Sequence, residues 1–420
     1  MQNLYQLISW HLIKNSLHMG IKFAIIKERK TPPDRRVVLS PSKLLQAKQQ
    51  FPEAVFKVES SDIRVFKDRA YQKANFEVVT NVSDCDVMIG VKEVPLDYLI
   101  PNKKYFFFSH TIKKQLYNRK LLQAILNKNI ELYDHETIVN QKGFRLIGFG
   151  RYAGIVGTYN GFRTWGLKFD SWSLPKAETL HDQKALIDEL NKISIPNIKI
   201  LLTGNGKVAH GAQEMLDAMH IKKVKVNDYL NTTFNEPVYC IIDVLDYNKR
   251  KDGQVIDMFD FFDNPQDYES DFIRFTKVTD YYIAGHFYGN GAPKFFTKED
   301  VKSPDFNIKV VADISCDVDG PIATTIRAST IAEPIYGYDP KTESEVDYKN
   351  KNAIAVMAVD NLPCELPKDA SEGFGEQFLQ HVIPAFFNND ADGILQRAKI
   401  TENGKLTERF AYLQEYVDGL

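Results

Sequence analysis

Polar side chains follow three apolar, strand-like runs in the first third of the sequence. Lys92 and Glu93 follow CDVMIGV, His110 follows KKYFFFS, and Glu136 comes just after IELYD. Imidazoles change charge near neutral pH, and amines and carboxyl groups exchange protons there when their surroundings shift their pKa. These residue types suit general acid–base chemistry. Each also has a structural interpretation, because strand-end histidines are commonly hydrogen-bonded structural residues and Lys-Glu pairs commonly belong to solvated loops.

A second chemical signal lies in LLTGNGKVAHGA. Gly204, Gly206 and Ala209 have the spacing of a dinucleotide-binding turn, in which the second glycine lets a pyrophosphate approach the start of a helix. The same spacing occurs in ordinary tight turns, but here a strand-like run precedes it and a helical pattern follows. The next strand-like run, KVKV, leads to Asp228, at the distance expected of the acid that accepts from the ribose hydroxyls. A carboxylate there would repel a 2′-phosphate, so the sequence predicts NAD rather than NADP.

The elements that must position these residues follow from the alternation of short apolar runs with longer helical patterns. The runs IKFAII, AVFKVE, CDVMIGV, KKYFFFS and IELYD form a first series. A helix rich in small residues, RYAGIVGTYNGFRTWGLK, separates it from a second series that begins with NIKILL and includes VYCIIDV, YYIAGHF, KVVADIS and AIAVMAV. Such alternation predicts mostly parallel sheets flanked by helices. We therefore expect two α/β domains with a boundary near residue 150.

Composition limits the classes of partner. The chain has 420 residues, with 53 Lys plus Arg against 55 Asp plus Glu, a net charge of −2 and no long block of one sign. This balance argues against nucleic acid and anionic membranes as partners, and no apolar run approaches the roughly 18 residues of a membrane span. The four cysteines form no C-x-x-C pair, which predicts neither a metal site nor a disulfide framework and favours the cytoplasm. Residues 1–18 lack signal-peptide features and are interpreted as a disordered leader or a start-site artefact.

Several long strings in order resemble the lysine-forming saccharopine dehydrogenases and the lysine–ketoglutarate reductase domain of the bifunctional animal and plant enzymes. They are RRVVLSP, GVKEVP, FFSHTIKKQ, ELYDHE, FRLIGFGRYAGIVG, VADISCD, VDNLPCELPKDASEGFG and ITENGKL. Alanine dehydrogenases and the matching part of transhydrogenase share the architecture and a KE-type opening, whereas the LP-x-x-LP-x-x-AS segment resembles the saccharopine enzymes. The resemblance implies two Rossmann-like, doubly wound domains with a cleft between them. Residues 19–149 and 374–420 would form the substrate domain, and residues 150–373 the NAD-binding domain.

The resemblance also implies a reaction and roles for individual residues. Saccharopine would be oxidised with NAD to an imine, which water cleaves to L-lysine and 2-oxoglutarate, or the sequence would run in reverse. The positions that match the family's catalytic pair are Lys92 and His110, with Glu93 and Glu136 as the carboxylates beside them. The positions that match substrate-facing residues are Arg36, Lys113, Arg145 and Asp313, and the loop SCDVDGP departs from the family pattern at Asp317. Two alternatives stay open: an amino acid dehydrogenase that acts on alanine or another small substrate, and a non-catalytic NAD-binding protein.

Overall fold

A computed structural model describes residues 20–289 and 291–420, which form two compact units. One unit contains residues 20–148 together with Ser371–Leu420, and the other contains the described residues of Phe149–Ala370. The leader predicted for residues 1–18 lies outside the described residues. Within the described ranges, no helix is long and apolar enough to cross a membrane.

The first unit is built on a six-stranded parallel sheet with the strand order β3-β2-β1-β4-β5-β6. Its strands read as apolar runs because parallel strands are covered on both faces. The strands are β1 (Lys22–Ile25), β2 (Val55–Glu59), β3 (Glu77–Val79), β4 (Val87–Lys92), β5 (Lys104–Phe108) and β6 (Glu131–Asp134). The α-helices of this part are α1 (Pro41–Gln50), α2 (Asp68–Lys73) and α3 (Arg119–Asn127).

The second unit has an eight-stranded sheet with the order β15-β14-β16-β13-β12-β7-β9-β8, and only β14 and β15 run antiparallel to their neighbours. Its strands are β7 (Lys199–Thr203), β8 (Lys222–Lys223), β9 (Val238–Ile242), β10 (Asn248–Arg250), β11 (Tyr268–Ser270), β12 (Tyr281–Ala284), β13 (Val310–Asp313), β14 (Ile335–Asp339), β15 (Ser344–Val346) and β16 (Ile354–Met357), of which β10 and β11 form a separate pair. Its helices are α4 (Gly150–Phe169), α5 (Gln183–Leu190), α6 (Lys207–Ala218), α7 (Val226–Asn231), α8 (Val244–Tyr247), α9 (Met258–Asp263), α10 (Ile273–Thr276) and α11 (Lys298–Val301).

The predicted helix rich in small residues is α4, and its glycines explain its burial. A Cβ atom on Gly154 would lie 2.0 Å from the Val208 carbonyl oxygen, and one on Gly211 would lie 1.9 Å from the Arg151 carbonyl oxygen. Helices α4 and α6 therefore pack backbone against backbone, at a separation that larger side chains would prevent. This contact fixes the position of α6, whose N-terminus follows the glycine turn.

The last part of the chain packs on the sheet of the first unit. The Thr401 hydroxyl accepts from the Leu132 N–H at 2.9 Å and donates to the Ile130 carbonyl at 2.7 Å. The Phe106 ring lies 5.7 Å from Phe378, which extends the aromatic core across this segment. The remaining α and β elements are α12 (Pro367–His381), α13 (Ile394–Ala398), β17 (Thr401–Glu402), β18 (Lys405–Leu406) and α14 (Gln414–Asp418). Short 3-10 helices cover Leu96–Tyr98, Thr111–Lys113, Leu116–Asn118, His135–Thr137, Ala177–Thr179, Pro265–Asp267, Leu362–Glu365, Ile383–Phe386 and Glu408–Leu413.

The predicted α/β architecture is confirmed in both units: each has a mainly parallel sheet whose strands are joined by helices. This topology has a direct consequence for the candidate site. Residues that follow neighbouring parallel strands must lie along the same edge of the sheet.

Candidate active site

Three neighbouring strands of the first unit end side by side and carry the candidate residues. Lys92, the last residue of β4, is in register with Phe108 of β5, and Phe107 is in register with Asp134 of β6. His110 stands two residues beyond the end of β5, and Glu136 stands two residues beyond the end of β6. The parallel sheet thus brings three sequence-predicted residues to one edge.

A buried carboxylate that the sequence reasoning missed holds the two loops at this edge. Asp134 Oδ2 accepts from the backbone N–H groups of Ser109 at 2.9 Å and His110 at 3.0 Å, while Oδ1 accepts from the Glu136 N–H at 2.7 Å. Burial raises the pKa of Asp134, and the hydrogen bonds from Ser109 and Glu136 oppose that shift. His110 has left-handed backbone angles, φ 53° and ψ 15°, which these bonds stabilise. The signal for this role was a carboxylate ending the apolar run IELYD.

Glu136 is the centre of a charge cluster. Its Oε2 atom lies 3.1 Å from His110 Nδ1, and its Oε1 atom lies 3.4 Å from Lys113 Nζ and 3.1 Å from Arg145 Nη2. The Glu136 side chain is only 7% exposed, whereas those of Lys113 and Arg145 are each 48% exposed. Burial alone would raise the pKa of Glu136, but the His110 hydrogen bond and the charges of Lys113 and Arg145 lower it to about 2. Glu136 is therefore ionised throughout the neutral range.

The ionised state of Glu136 determines which nitrogen of His110 carries the proton. A carboxylate can only accept a hydrogen bond, so His110 Nδ1 must be the donor. In the neutral imidazole, the lone pair then resides on Nε2. The cluster of Glu136, Lys113 and Arg145 has a net charge of −1 + 1 + 1 = +1 before the imidazole takes up a proton. It combines a potential base with a surplus of positive charge.

A second, more deeply buried group surrounds the end of β4. Glu28 accepts from the backbone N–H groups of Val91 at 2.7 Å and Lys92 at 2.8 Å. Burial, reinforced by the charge of Asp34, raises the pKa of Glu28 to about 7. The Lys92 charge in turn contributes to lowering the pKa of Asp34. These contacts give Lys92 an anionic setting that the sequence reasoning did not identify.

Arg36 is part of this group rather than a solvated surface residue. Its Nε donates to Asp34 Oδ1 at 3.0 Å and its Nη2 donates to Asp34 Oδ2 at 2.6 Å, and both side chains are 3% exposed. Burial would raise the pKa of Asp34, but the Arg36 charge and hydrogen bonds bring it down to about 2. The structure therefore fixes the Arg36 guanidinium on a carboxylate of the chain itself, with two of its five N–H groups committed to that contact.

Glu93 directly follows Lys92 and forms an ion pair with Lys30. Its Oε2 atom is buried without a hydrogen bond to any described residue. The role of Glu93 as a carboxylate beside Lys92 and His110 stays a prediction. An unsatisfied buried carboxylate oxygen is costly unless a donor reaches it.

The glycine turn of the second unit has the geometry that a dinucleotide requires. Gly204 has φ +103°, and a Cβ there would lie 2.7 Å from the Gly285 carbonyl oxygen, so only glycine fits. Gly206 caps α6, and a Cβ on it would meet no atom within 4 Å. Open space over this glycine, at the N-terminus of a 12-residue helix, suits a pyrophosphate. Ala209 is buried beneath the turn. These residues fit a nicotinamide dinucleotide, which they would hold by its phosphates.

The expectation that Asp228 ends a strand is wrong. Strand β8 covers only Lys222–Lys223, and Asp228 is an exposed residue in the first turn of α7. The alternation in KVKV indicated a longer strand, but the chain leaves the sheet after the Val224 N–H bonds to the Tyr239 carbonyl at 2.9 Å. Helix α7 then begins after Lys225 and buries Tyr229.

Asp313 organises the loop that follows β13. Its Oδ1 accepts from Ser315 Oγ at 2.6 Å and from the Cys316 N–H at 3.0 Å, and its Oδ2 accepts from Thr325 Oγ1 at 2.6 Å. Burial raises the pKa of Asp313. These three hydrogen bonds show that Asp313 positions the loop after β13. Its expected place facing the nicotinamide or the substrate amine stays a prediction.

The chain is similar to several known proteins. Residues 24–156 match the family described as "Alanine dehydrogenase/PNT, N-terminal domain". The alpha-aminoadipic semialdehyde synthase of Arabidopsis thaliana is 27% identical over 93% of this chain and 41% of its own length. The saccharopine dehydrogenase [NAD(+), L-lysine-forming] of Candida glabrata is 24% identical over 82% of this chain and 90% of its own length. An L-alanine dehydrogenase structure, 15% identical, superposes with a TM-score of 0.63 over 95% of this chain and 99% of the other.

These comparisons confirm the resemblance found in the sequence and the Rossmann-like α/β fold. The chain spans less than half the length of the plant synthase. The likeness to the alanine dehydrogenase structure concerns the fold alone.

Proposed function

We propose that this protein is a pyridine-nucleotide oxidoreductase that interconverts saccharopine with L-lysine and 2-oxoglutarate. Its sequence resembles those of the saccharopine dehydrogenases and the semialdehyde synthases. The similarity to relatives of both kinds supports the substrate class. The observation that carries the proposal is the cluster in which Glu136 holds His110, Lys113 and Arg145 at one edge of the sheet.

Proton transfer is the task of the chain's own residues. A bound nicotinamide would supply the hydride acceptor for the carbon next to the substrate's secondary amine. In our proposal His110 Nε2 takes the amine proton, because the Glu136 contact leaves the lone pair on that atom. Glu136 stabilises the imidazolium that results. Lys92 is the partner that exchanges protons with the water that adds to the imine, and its position at the end of β4 supports that role.

Carboxylate recognition follows from the surplus charge of the cluster. Saccharopine has three carboxylates, and the half-exposed side chains of Lys113 and Arg145 offer N–H donors beyond those used on Glu136. Glu136 weakens the attraction between these two cations and a substrate carboxylate, because its own negative charge offsets one of the two positive charges. We propose that Lys113 and Arg145 bind one substrate carboxylate, while Arg36 acts through Asp34 to maintain the neighbouring loop.

NAD is the coenzyme that we propose, and Asp228, which lies in helix α7, does not carry this choice. The dinucleotide-shaped turn supports a pyridine nucleotide of either kind. A cytoplasmic location is also part of the proposal, and the four free cysteines of the structure are consistent with a reducing compartment.

The test is a substrate comparison on the purified chain. NADH oxidation is followed by absorbance with L-lysine plus 2-oxoglutarate, and separately with pyruvate plus ammonia, in parallel with a His110→Asn variant. Asparagine tolerates the left-handed backbone of residue 110 but cannot act as a base near neutral pH. Turnover only with lysine plus 2-oxoglutarate, lost in the variant, supports the proposal. Turnover only with pyruvate would identify an alanine dehydrogenase, and NADH binding without any turnover would indicate a non-catalytic protein.

A further inference from the structure

The strand order of the second unit departs from the order of its strands along the chain. Strand β9 lies directly beside β7 and pairs with it at five positions, from Lys199 with Val238 to Thr203 with Ile242. Strand β8, which comes between them in sequence, pairs only with the far side of β9. Strand β7 is therefore flanked by β9 on the side that leads to β8 and by β12 on the other side.

This order matters for the adenosine ribose. In a dinucleotide fold the pyrophosphate binds at the turn after the first strand, and the ribose reaches toward the end of the strand beside it. Strands are about 4.8 Å apart, so β9 is about 5 Å from β7 and β8 is about 10 Å away. Asp228 follows β8 and lies in a helix. The strand that precedes it is thus one strand farther from the turn than β9.

Asp243 lies at the carboxyl end of β9, next to the glycine turn. It follows Ile242, the last residue of β9, and the Ile242 carbonyl accepts from the Gly204 N–H of the glycine turn at 2.9 Å. The side chain is half-buried, and no lysine or arginine among the described residues forms an ion pair with it. The Asp243 carboxylate therefore belongs to the residue directly after Ile242, whose backbone contacts the turn.

Asp243 also caps helix α8, and this role leaves room for a ligand. Its Oδ1 accepts from the Leu245 N–H at 3.1 Å, and it forms a capping box with Asp246. A carboxylate has about four lone-pair sites, so backbone donors from the short helix do not exhaust them. A ribose 2′,3′-diol supplies two hydroxyl donors for the remaining sites.

We propose that Asp243 binds the adenosine ribose diol and sets the preference for NAD(H) by repelling a 2′-phosphate. This inference rests on the proposed use of a pyridine nucleotide and names the residue that selects between its two forms. It replaces the sequence-based assignment to Asp228.

The test compares Asp243→Asn with Asp228→Asn. Asparagine is as good a helix cap as aspartate, so α8 is retained while the charge is removed. Dissociation constants for NADH and NADPH are measured by fluorescence titration without substrate. We expect Asp243→Asn to reduce the preference for NADH over NADPH about tenfold to a hundredfold, the usual worth of a hydrogen bond to a charged group together with like-charge repulsion. Asp228→Asn should leave the ratio unchanged.

The outcomes separate this inference from the proposed function. An unchanged ratio in Asp243→Asn, or a shift in Asp228→Asn alone, overturns the assignment of Asp243. Nucleotide binding with the expected shift but no turnover of lysine plus 2-oxoglutarate overturns the proposed reaction and leaves Asp243 supported. A wild-type chain that binds NADPH as tightly as NADH overturns the NAD preference. A wild-type chain that binds neither nucleotide overturns both.

Discussion

Replacing Glu136 with glutamine removes one charge from the centre of the cluster and keeps the shape of the side chain. In the wild type, the pKa of Glu136 is lowered from 4.5 to about 2. At about 1.4 kcal/mol for each pKa unit, that lowering favours the ionised form by about 3 kcal/mol. Lys113 and Arg145 are half-exposed, so water and salt recover part of the loss. We expect Glu136→Gln to lower the free energy of unfolding by about 1–3 kcal/mol at pH 7.

The pH dependence gives the sharper test of this reasoning. A carboxyl group whose pKa is lower in the folded state contributes stability above its unfolded pKa and loses it as the pH falls through the folded pKa. The stability difference between wild type and Glu136→Gln should therefore shrink as the pH falls from 4.5 toward 2. Urea unfolding followed by far-UV circular dichroism measures it. Hydrogen exchange of peptides from residues 104–145 assigns the change to the unit that contains Glu136.

A matched control removes the same charge elsewhere in that unit. Glu408 is exposed and takes part in no ion pair among the described residues, so Glu408→Gln should change stability by less than about 0.5 kcal/mol. A Glu136→Gln variant as stable as wild type at pH 7 would refute the argument. A stability difference that widens in acid would refute it too, since Glu136 would then be better stabilised in its protonated form.

The remaining predictions concern catalysis, substrate binding and the glycines. Lys92→Met and His110→Asn should each lower kcat by about 10²–10⁴, the usual worth of a positioned acid or base. Their NADH dissociation constants should stay at wild-type values, and a loss of NADH binding with unchanged kcat would contradict the roles given to them. Arg145→Ala should mainly raise KM for 2-oxoglutarate in steady-state assays, because a ground-state contact is lost; a fall in kcat alone would argue against this. Gly206→Ala should fold normally yet lose nucleotide affinity in titrations, since its Cβ meets open space. Gly154→Ala should instead lower the thermal midpoint, because its Cβ would lie 2.0 Å from a carbonyl oxygen of α6.

The sequence was informative where a function depends on local pattern. Apolar runs separated by helical patterns predicted parallel sheets, and the shared edge of parallel strands predicted that His110 and Glu136 would lie near each other. The glycine turn was also readable, since its backbone geometry depends on residues close together in the chain. In each case short-range chemistry determined the structure.

The sequence was misleading where the order of strands in the sheet depends on pairing between segments that are distant in the chain. Consecutive strands are neighbours about two-thirds of the time, which favoured placing the strand before Asp228 beside the glycine turn. The structure inserts β9 there instead, and only long-range pairing specifies that order. The contact of Arg36 with Asp34 was missed for a similar reason, since burial of an ion pair depends on what packs over it.

Strand β8 is an edge strand of its sheet, which affects the tendency of the protein to aggregate. An edge strand has unpaired backbone N–H and C=O groups, and a strand of another molecule can pair with them as the first step of aggregation. Strand β8 is only two residues long, and both residues, Lys222 and Lys223, are exposed lysines. At the opposite edge, strand β15 has the exposed residues Ser344 and Glu345. Both edge strands are short and carry charged side chains, so they disfavour pairing with a strand of another molecule and reduce aggregation at high protein concentration.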